Sequence, residues 1–154
     1  LLTKRLRNTG HDFLGKSTGG GALSIWTHNL KSTEFIPDFE IGDYKGKAAR
    51  LAAGLESYEI HAFMTANNVT IVLPGGTTVG GVGGFMQGGG HSVFTSLYGL
   101  AADNVLSIEV VTADGKFIHV DQDNNEDLFF AIRGGGGGKF FNQQLSNLVN
   151  LSES

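Results

Sequence analysis

The sequence has no cysteine, two prolines, two methionines and one tryptophan, and its negative side chains outnumber its positive ones. Without cysteine there can be no disulfide, no thiolate metal site and no cysteine nucleophile. Eleven Lys and Arg against fifteen Asp and Glu give a formal net charge of −4, so no broad basic surface is available. No apolar run reaches the roughly 18 residues that a membrane-spanning helix requires. Nucleic acid and membrane are therefore not expected as partners. The 154 residues are enough for one domain with a core of its own.

What the sequence has in excess is glycine: 24 of 154 residues, about twice the usual share of ~7%. The glycines cluster at 19–21, 75–90 and 134–138, with ordinary apolar segments between them. A flexible linker would mix glycine with serine and lack hydrophobic runs. Clusters set between strands mark places where the backbone comes close to something bulky.

Along the chain, residues 1–7 alternate weakly and lead into a loop, Asn8-Thr9-Gly10-His11-Asp12. Alternation predicts a strand over 22–27, and Gly54 and Glu56, as a strand-to-helix joint, place another over 47–54, despite its alanines, ahead of a helix over 57–67. A short buried strand over 69–73 stops at Pro74-Gly75, and a glycine-rich helix is expected within 83–90. Residues 105–120 read as a hairpin, with Asp114-Gly115 supplying a primed turn. Asn124 or Asn125 caps a helix running to Arg133, with Glu126 and Asp127 in its first turn. Strands and helices are mixed without a long βαβ repeat, so the class is α+β. Residues 139–154 show neither periodicity nor a cap. Together with an opening that lacks methionine, they read as signs of a fragment.

The glycine loops are where chemistry is expected. Gly80-Gly81-Val82-Gly83-Gly84 loosely fits a dinucleotide-binding turn, but the acidic ribose partner cannot be placed, and no lysine-tipped phosphate loop is present. The other reading is a nest, in which backbone N–H groups from several loops converge on one pyrophosphate. A nest suits an acidic chain because it neutralises phosphate without many arginines.

At this point the sequence resembles a family. Arg7 to Gly15 (RNTGHDFLG), followed by Ser24 to Leu30 (SIWTHNL), is similar to the flavin-attachment region of berberine-bridge-enzyme-like oxidoreductases, most of all their fungal branch. The blocks Thr78–Gly80, Gly88–Ser92, Tyr98–Val105, Glu109–Gly115 and Asp127–Gly137 follow in that family's order. The resemblance spans roughly residues 4–138. It implies a vanillyl-alcohol-oxidase-type (PCMH-type) FAD-binding domain, built as two small α/β subdomains with the flavin between them.

It also implies roles. His11 matches the histidine that bonds to the flavin's benzenoid methyl group, a step to which neutral imidazole is suited as a nucleophile. The backbone of Asn8, Thr9, Gly10, His11 and Asp12 would face the pyrophosphate. Val79, Gly80, Gly83 and Gly84 would approach the diphosphate and isoalloxazine. Asp103 and Asn104 would fix the turn before a strand, and Val110 would meet the adenine through its backbone. The parent protein is then an FAD-linked oxidoreductase, secreted, passing a hydride from a small organic substrate such as a secondary-metabolite intermediate or a sugar. Dioxygen is the expected reoxidant, and a valine at position 79 goes with oxygen access in oxidase relatives.

Three departures bear on this expectation. Many relatives carry a cysteine that makes a second flavin bond, and Gly76 occupies that position, so at most one bond remains. Relatives continue after the last glycine cluster into a Thr-Phe-Gly strand, which Lys139-Phe140-Phe141-Asn142 does not match. A substrate domain, which carries the catalytic base in relatives, is not represented, and no catalytic residue is assigned. The rival readings are a non-catalytic, pseudogene-like remnant and a glycine-rich binding module without redox chemistry. Asp12 either orients His11 or caps the loop. His91 reads as a loop residue rather than a base, and His28, His61 and His119 as ordinary strand or helix residues. Trp26 and the pair Phe129-Phe130 read as core. Asn68-Val69-Thr70 and Asn150-Leu151-Ser152 fit the glycosylation pattern, which is short enough to recur by chance.

Overall fold

The computed structural model describes residues 3–137 and 143–153, and for 143–148 and 152–153 the backbone only. Strand β1 (Lys4–Arg7) pairs in parallel with β2 (Leu23–Trp26), with Lys4 opposite Leu23 and Arg7 opposite Trp26. Parallel partners need a connection that carries the chain back to its starting end. Here that connection is the glycine-bearing loop from Asn8 onward. The parallel pair thus fixes where the loop leaves the fold.

A five-stranded sheet in the order β3-β4-β8-β6-β7 forms the larger layer. Strands β3 (Thr33–Ile41) and β4 (Tyr44–Ala52) make an antiparallel hairpin. The strand expected over 47–54 thus begins earlier, at Tyr44. Residues 33–41 carry no clear strand signal because Pro37 interrupts them. Proline is tolerated there because β3 is an edge strand and its register shifts between Ile36 and Phe39.

Helix α1 (Ser57–Asn67) follows where the sequence predicts it. Its entry is fixed by the Glu56 N–H, which donates to Glu59 Oε2 at 2.8 Å, and its exit by Asn68 in the left-handed region at φ 51°. Of the strand predicted over 69–73, only β5 (Val69–Thr70) makes a ladder, while Ile71, Val72 and Leu73 are buried without one. A π-helical turn, Gly81–Phe85, runs into Met86 and Gln87, starting two residues before the expected glycine-rich helix. Helix α2 (Thr95–Tyr98) and a 3-10 turn, Ala101–Asn104, then lead into β6 (Val105–Val111).

The hairpin of β6 with β7 (Phe117–Asp121) forms as predicted, but its turn is not primed. Only Gly115 has positive φ, +84°, so the chain makes an ordinary turn closed by Gly115 N–H to Thr112 O (2.9 Å) and finishes with a left-handed glycine. The Thr112 hydroxyl bonds the Asp114 carboxylate and occupies the turn's interior. Helix α3 (Glu126–Ile132) starts after Asn125, whose φ is 55°.

The largest departure from the sequence pattern is β8 (Gln143–Asn150), which sits between β4 and β6 and pairs antiparallel with both. Strand β9 (Ser152–Glu153) then pairs with β5. The Gly138 to Asn142 part of the last glycine cluster and its unmatched continuation lies outside the described residues. The core is one cluster between the five-stranded sheet and the elements packed on it, with Leu51, Leu55, Ile60, Val82, Ile108, Val110, Val120, Ile132 and Val149 fully buried. Each such aliphatic side chain contributes about 1.5–3 kcal/mol by leaving water.

Candidate functional site

Gly54 brings the two layers together. A Cβ there would lie 2.2 Å from Thr27 O, 2.6 Å from Leu30 O and 2.9 Å from His28 O, so only glycine lets the segment after β2 cross the end of β4. The Gly54 N–H donates to Leu30 O at 2.9 Å across this crossing. The loop from β1 is thereby held over the start of α1.

Asn8 is the first residue of that loop. Its Nδ2 donates to Leu55 O at 3.3 Å, and its carbonyl accepts the Trp26 indole N–H at 2.7 Å. The amide lies across Gly80, where a Cβ would come within 2.1 Å of Asn8 Nδ2, and beside Gly83. The first loop and the second glycine cluster, far apart in sequence, therefore meet at Asn8. The buried Asn8 Oδ1 accepts no hydrogen bond among the described residues. The backbone N–H groups of Thr9, Gly10 and His11 likewise donate to no acceptor among the described residues. Gly10, at φ +125°, and the exposed Gly84 both face open space. Unsatisfied donors beside open space are what a nest for an anion requires.

An open cleft of ≈ 380 Å³ is lined by Asn8, Thr9, Gly10, His11, Trp26, His28, Glu56 and Thr78, whereas Asp12, Gly80, Gly83 and Gly84 are not among its lining residues. His11 is exposed at its edge, with Nε2 and Thr78 Oγ1 hydrogen-bonded at 2.9 Å. Trp26 is 55% exposed. It stacks on the His28 ring at 4.7 Å and 23°, with the Arg7 guanidinium 4.7 Å from its ring centre. The expectation that Trp26 is core is thus corrected, and the signal was present: along β2 it has the parity of Ser24, not of Leu23 and Ile25. Phe129 is core at 4% exposure, whereas its neighbour Phe130 is exposed. His28, expected to be an ordinary strand residue, is part of the cleft wall and lies 3.7 Å from Glu56 Oε1.

Below His28, the Lys31 ammonium lies 3.8 Å from Glu56 and 2.5 Å from Glu59. Burial opposes ionisation of Glu59, but Lys31 and the Glu56 N–H outweigh it and hold the carboxyl below its ordinary range. This charged seam fixes the start of α1 under the cleft.

Asp12 turns away from His11. Its Oδ2 accepts the Lys16 N–H at 2.5 Å and its Oδ1 lies 3.5 Å from the Lys16 ammonium, so it caps the loop. Of the other expected residues, Val79 anchors α1, its carbonyl accepting the Ser57 N–H (2.9 Å) and hydroxyl (3.2 Å). Asp103 accepts from Leu100 N–H at 2.8 Å, and the Asn104 amide donates to Tyr98 O and Leu100 O, which shapes the turn before β6. Val110 is fully buried in β6. None of Val79, Asp103, Asn104 and Val110 lines the cleft. The third glycine cluster joins the second instead: Gln87 O accepts from Gly134 N–H at 3.1 Å and Gly136 N–H at 2.8 Å. Gly76 is exposed beside Val79.

Of the other cleft-wall residues, Trp26, His28 and Thr78 lie in blocks that the family resemblance covers without being given a site role there. Glu56 is marked only as a strand-to-helix joint. Among the described residues no group of three or more His, Asp or Glu is placed to hold a metal, and no helix is long and apolar enough to cross a membrane.

Comparison with known proteins identifies the family and the fold. A family model described as an FAD binding domain matches residues 2–121. A VAO-type flavoprotein oxidase of Thermothelomyces thermophilus is 57% identical over 137 residues, which is 88% of this chain and 24% of that protein. An FAD-linked oxidoreductase of Gibberella zeae is 50% identical over 135 residues, again 88% of this chain and 24% of that protein. The crystal structure of a VAO-type flavoprotein from Myceliophthora thermophila matches with a TM-score of 0.95 at 50% identity, covering 99% of this chain and 28% of that one. Berberine bridge enzyme from Eschscholzia californica matches at 0.85 and 28% identity, covering 99% of this chain and 29% of that one. The chain spans about a quarter of the length of these two curated relatives.

Proposed function

Because this chain belongs to the FAD binding domain family, in its VAO-type, berberine-bridge-enzyme-like branch, we propose that it is the cofactor-binding part of an FAD-dependent oxidoreductase whose flavin is held by one covalent bond to His11. The observation that carries this reading is the position of His11. It lines a cleft where the N–H groups of Thr9, Gly10 and His11 itself, and the buried Asn8 Oδ1, have no hydrogen-bond partner among the described residues. Those donors suit a pyrophosphate, the orphan oxygen suits a donor on the ligand, and the exposed Trp26–His28 wall gives a flat group an apolar face.

When bound, the flavin supplies the redox chemistry, accepting a hydride from a small organic substrate such as a secondary-metabolite intermediate or sugar, with dioxygen as the final acceptor. The chain's own residues bind and position. Asn8, Thr9 and Gly10 hold the phosphates through backbone groups, and Asp12 keeps their loop closed on Lys16. Gly80, Gly83 and Gly84 leave room for close approach. Asp103, Asn104, Val79 and Val110 support the diphosphate and adenine sides. His11 supplies a neutral imidazole nucleophile. With no cysteine in the chain, no second bond of the kind made at the Gly76 position in relatives can form.

The test is to express the parent protein, denature it in acid and follow the yellow colour. Flavin retained by the protein, and released after His11→Ala, is the expected result. Flavin found free in the supernatant of the unmutated protein removes the covalent bond, and a protein without flavin removes FAD binding altogether.

A further inference from the structure

We infer that Thr78 is a positioning residue for His11: its hydroxyl engages Nε2, so that Nδ1 is the ring nitrogen presented for covalent attachment. This rests on the proposal that His11 carries the flavin. The 2.9 Å bond between His11 Nε2 and Thr78 Oγ1 joins residues 67 positions apart, and among the described residues the ring makes no other hydrogen bond. The two partners differ in how firmly they are held. His11 follows Gly10 in an exposed loop, where the N–H groups of Thr9, Gly10 and His11 donate to no acceptor among the described residues.

Thr78, in contrast, is pinned from both sides. The carbonyl of Thr77 accepts the Tyr58 N–H at 3.0 Å, and that of Val79 accepts the Ser57 N–H at 2.9 Å. Both donors belong to the first turn of α1, which is itself fixed by the Glu56–Glu59 and Lys31–Glu59 contacts. Thr78 therefore sets the orientation of the His11 ring, and the loop follows.

A neutral imidazole has its proton on one nitrogen and its nucleophilic lone pair on the other. With the Thr78 oxygen accepting from Nε2–H, the lone pair lies on Nδ1. Attachment forms one bond from Nδ1 to the methyl carbon and releases two protons, one from the methyl group and one from Nε2 through the Thr78 hydroxyl. Two electrons pass to the flavin and from there to an acceptor of the dioxygen class.

The experiment uses the full-length parent protein prepared without flavin and then incubated with FAD. Acid-stable flavin is followed over time, and the histidyl-flavin peptide is assigned to its nitrogen isomer. Unmutated protein and Thr78→Ser are expected to give one isomer, at Nδ1, at similar rates. Thr78→Val and Thr78→Ala are expected to attach flavin roughly ten- to hundredfold more slowly, the cost of a misdirected reacting group, and to give mixed isomers. The unfolding temperature should not move, because Thr78 is exposed. Attachment rates are compared at saturating FAD, so that any change in reversible binding at this cleft residue is separated from the chemical step. Attachment that is lost in His11→Ala but unchanged in rate and isomer in Thr78→Val overturns the role of Thr78 alone. Absence of acid-stable flavin in the unmutated protein overturns the reading of His11 and this inference with it.

Discussion

The five-stranded sheet and the loop from Asn8 to Lys16 are held by different physics. In the sheet, Leu51, Ile108, Val110, Val120 and Val149 bury one continuous face, and β4, β8 and β6 each pair on both edges. The loop is held by single hydrogen bonds instead, between Trp26 and Asn8, Lys16 and Asp12, and Thr78 and His11. Phe13 and Leu14, the loop's large apolar residues, stand exposed. Stability therefore resides in the sheet, whereas the loop has little burial to give up when a ligand reorganises its backbone.

The strongest way to break this comparison is Leu51→Ala. Leu51 is fully buried, so the change should cost about 2–5 kcal/mol in urea-induced unfolding. A loss under about 1 kcal/mol would move the core elsewhere. Gly54→Ala comes next, because it strikes the crossing where the two regions meet. The added carbon is opposed by three backbone carbonyls, which cannot rotate away as a side chain would. A cost of about 1–3 kcal/mol is expected, together with a fall in acid-stable flavin as Trp26 and His28 shift. Lost stability with undiminished flavin would uncouple the two regions.

The smallest effect sharpens the comparison by pairing two aspartates that cap turns. Asp121 ends β7, is buried, and accepts the N–H groups of Asp123 (2.8 Å) and Asn124 (2.7 Å). Burial opposes its ionisation, but these donors and the nearby His119 prevail, and the carboxyl titrates below its ordinary value of 3.8. A depressed carboxyl contributes stability that is present above the unfolded-state pKa and disappears as pH falls through the folded one. Thermal unfolding measured downward from neutral pH should therefore lose about 1 kcal/mol on the acid side, and Asp121→Asn should flatten that slope. Asp12 is also held below its ordinary value, desolvation being outweighed by Lys16, but it lies in the exposed loop and is screened by solvent, so Asp12→Asn should flatten the slope less than Asp121→Asn.

What could be read from the sequence follows the same division. Helix α1 and the β6–β7 hairpin are local structures, specified by Glu56 and Asn68 at the helix ends and by Gly115 in the turn, and both are where the pattern predicts them. The hairpin's turn departs from the primed form because Asp-Gly is compatible with either geometry, and only the Thr112–Asp114 contact distinguishes them. Strand β3 is hidden by Pro37, and β8 by pairing with strands whose residues are distant in sequence. In the site, His11 and Gly80 stand out by resemblance, but their physical link through Asn8 is a contact across the fold. Thr78 begins a block that the resemblance covers, but nothing in the sequence marks its link to His11, because that link arises only when the fold places the two side chains together.

The position of β8 also constrains how the molecule assembles. Its partners are β4, where Ala48 faces Asn150, and β6. During synthesis the β3–β4 and β6–β7 hairpins can each close early, but they remain two separate ribbons with open edges until the segment that joins them emerges about a hundred residues after β4. For that interval the edges of β4 and β6 are templates for any extended chain, so insertion of the central strand closes the two most aggregation-exposed edges of this FAD-binding fold.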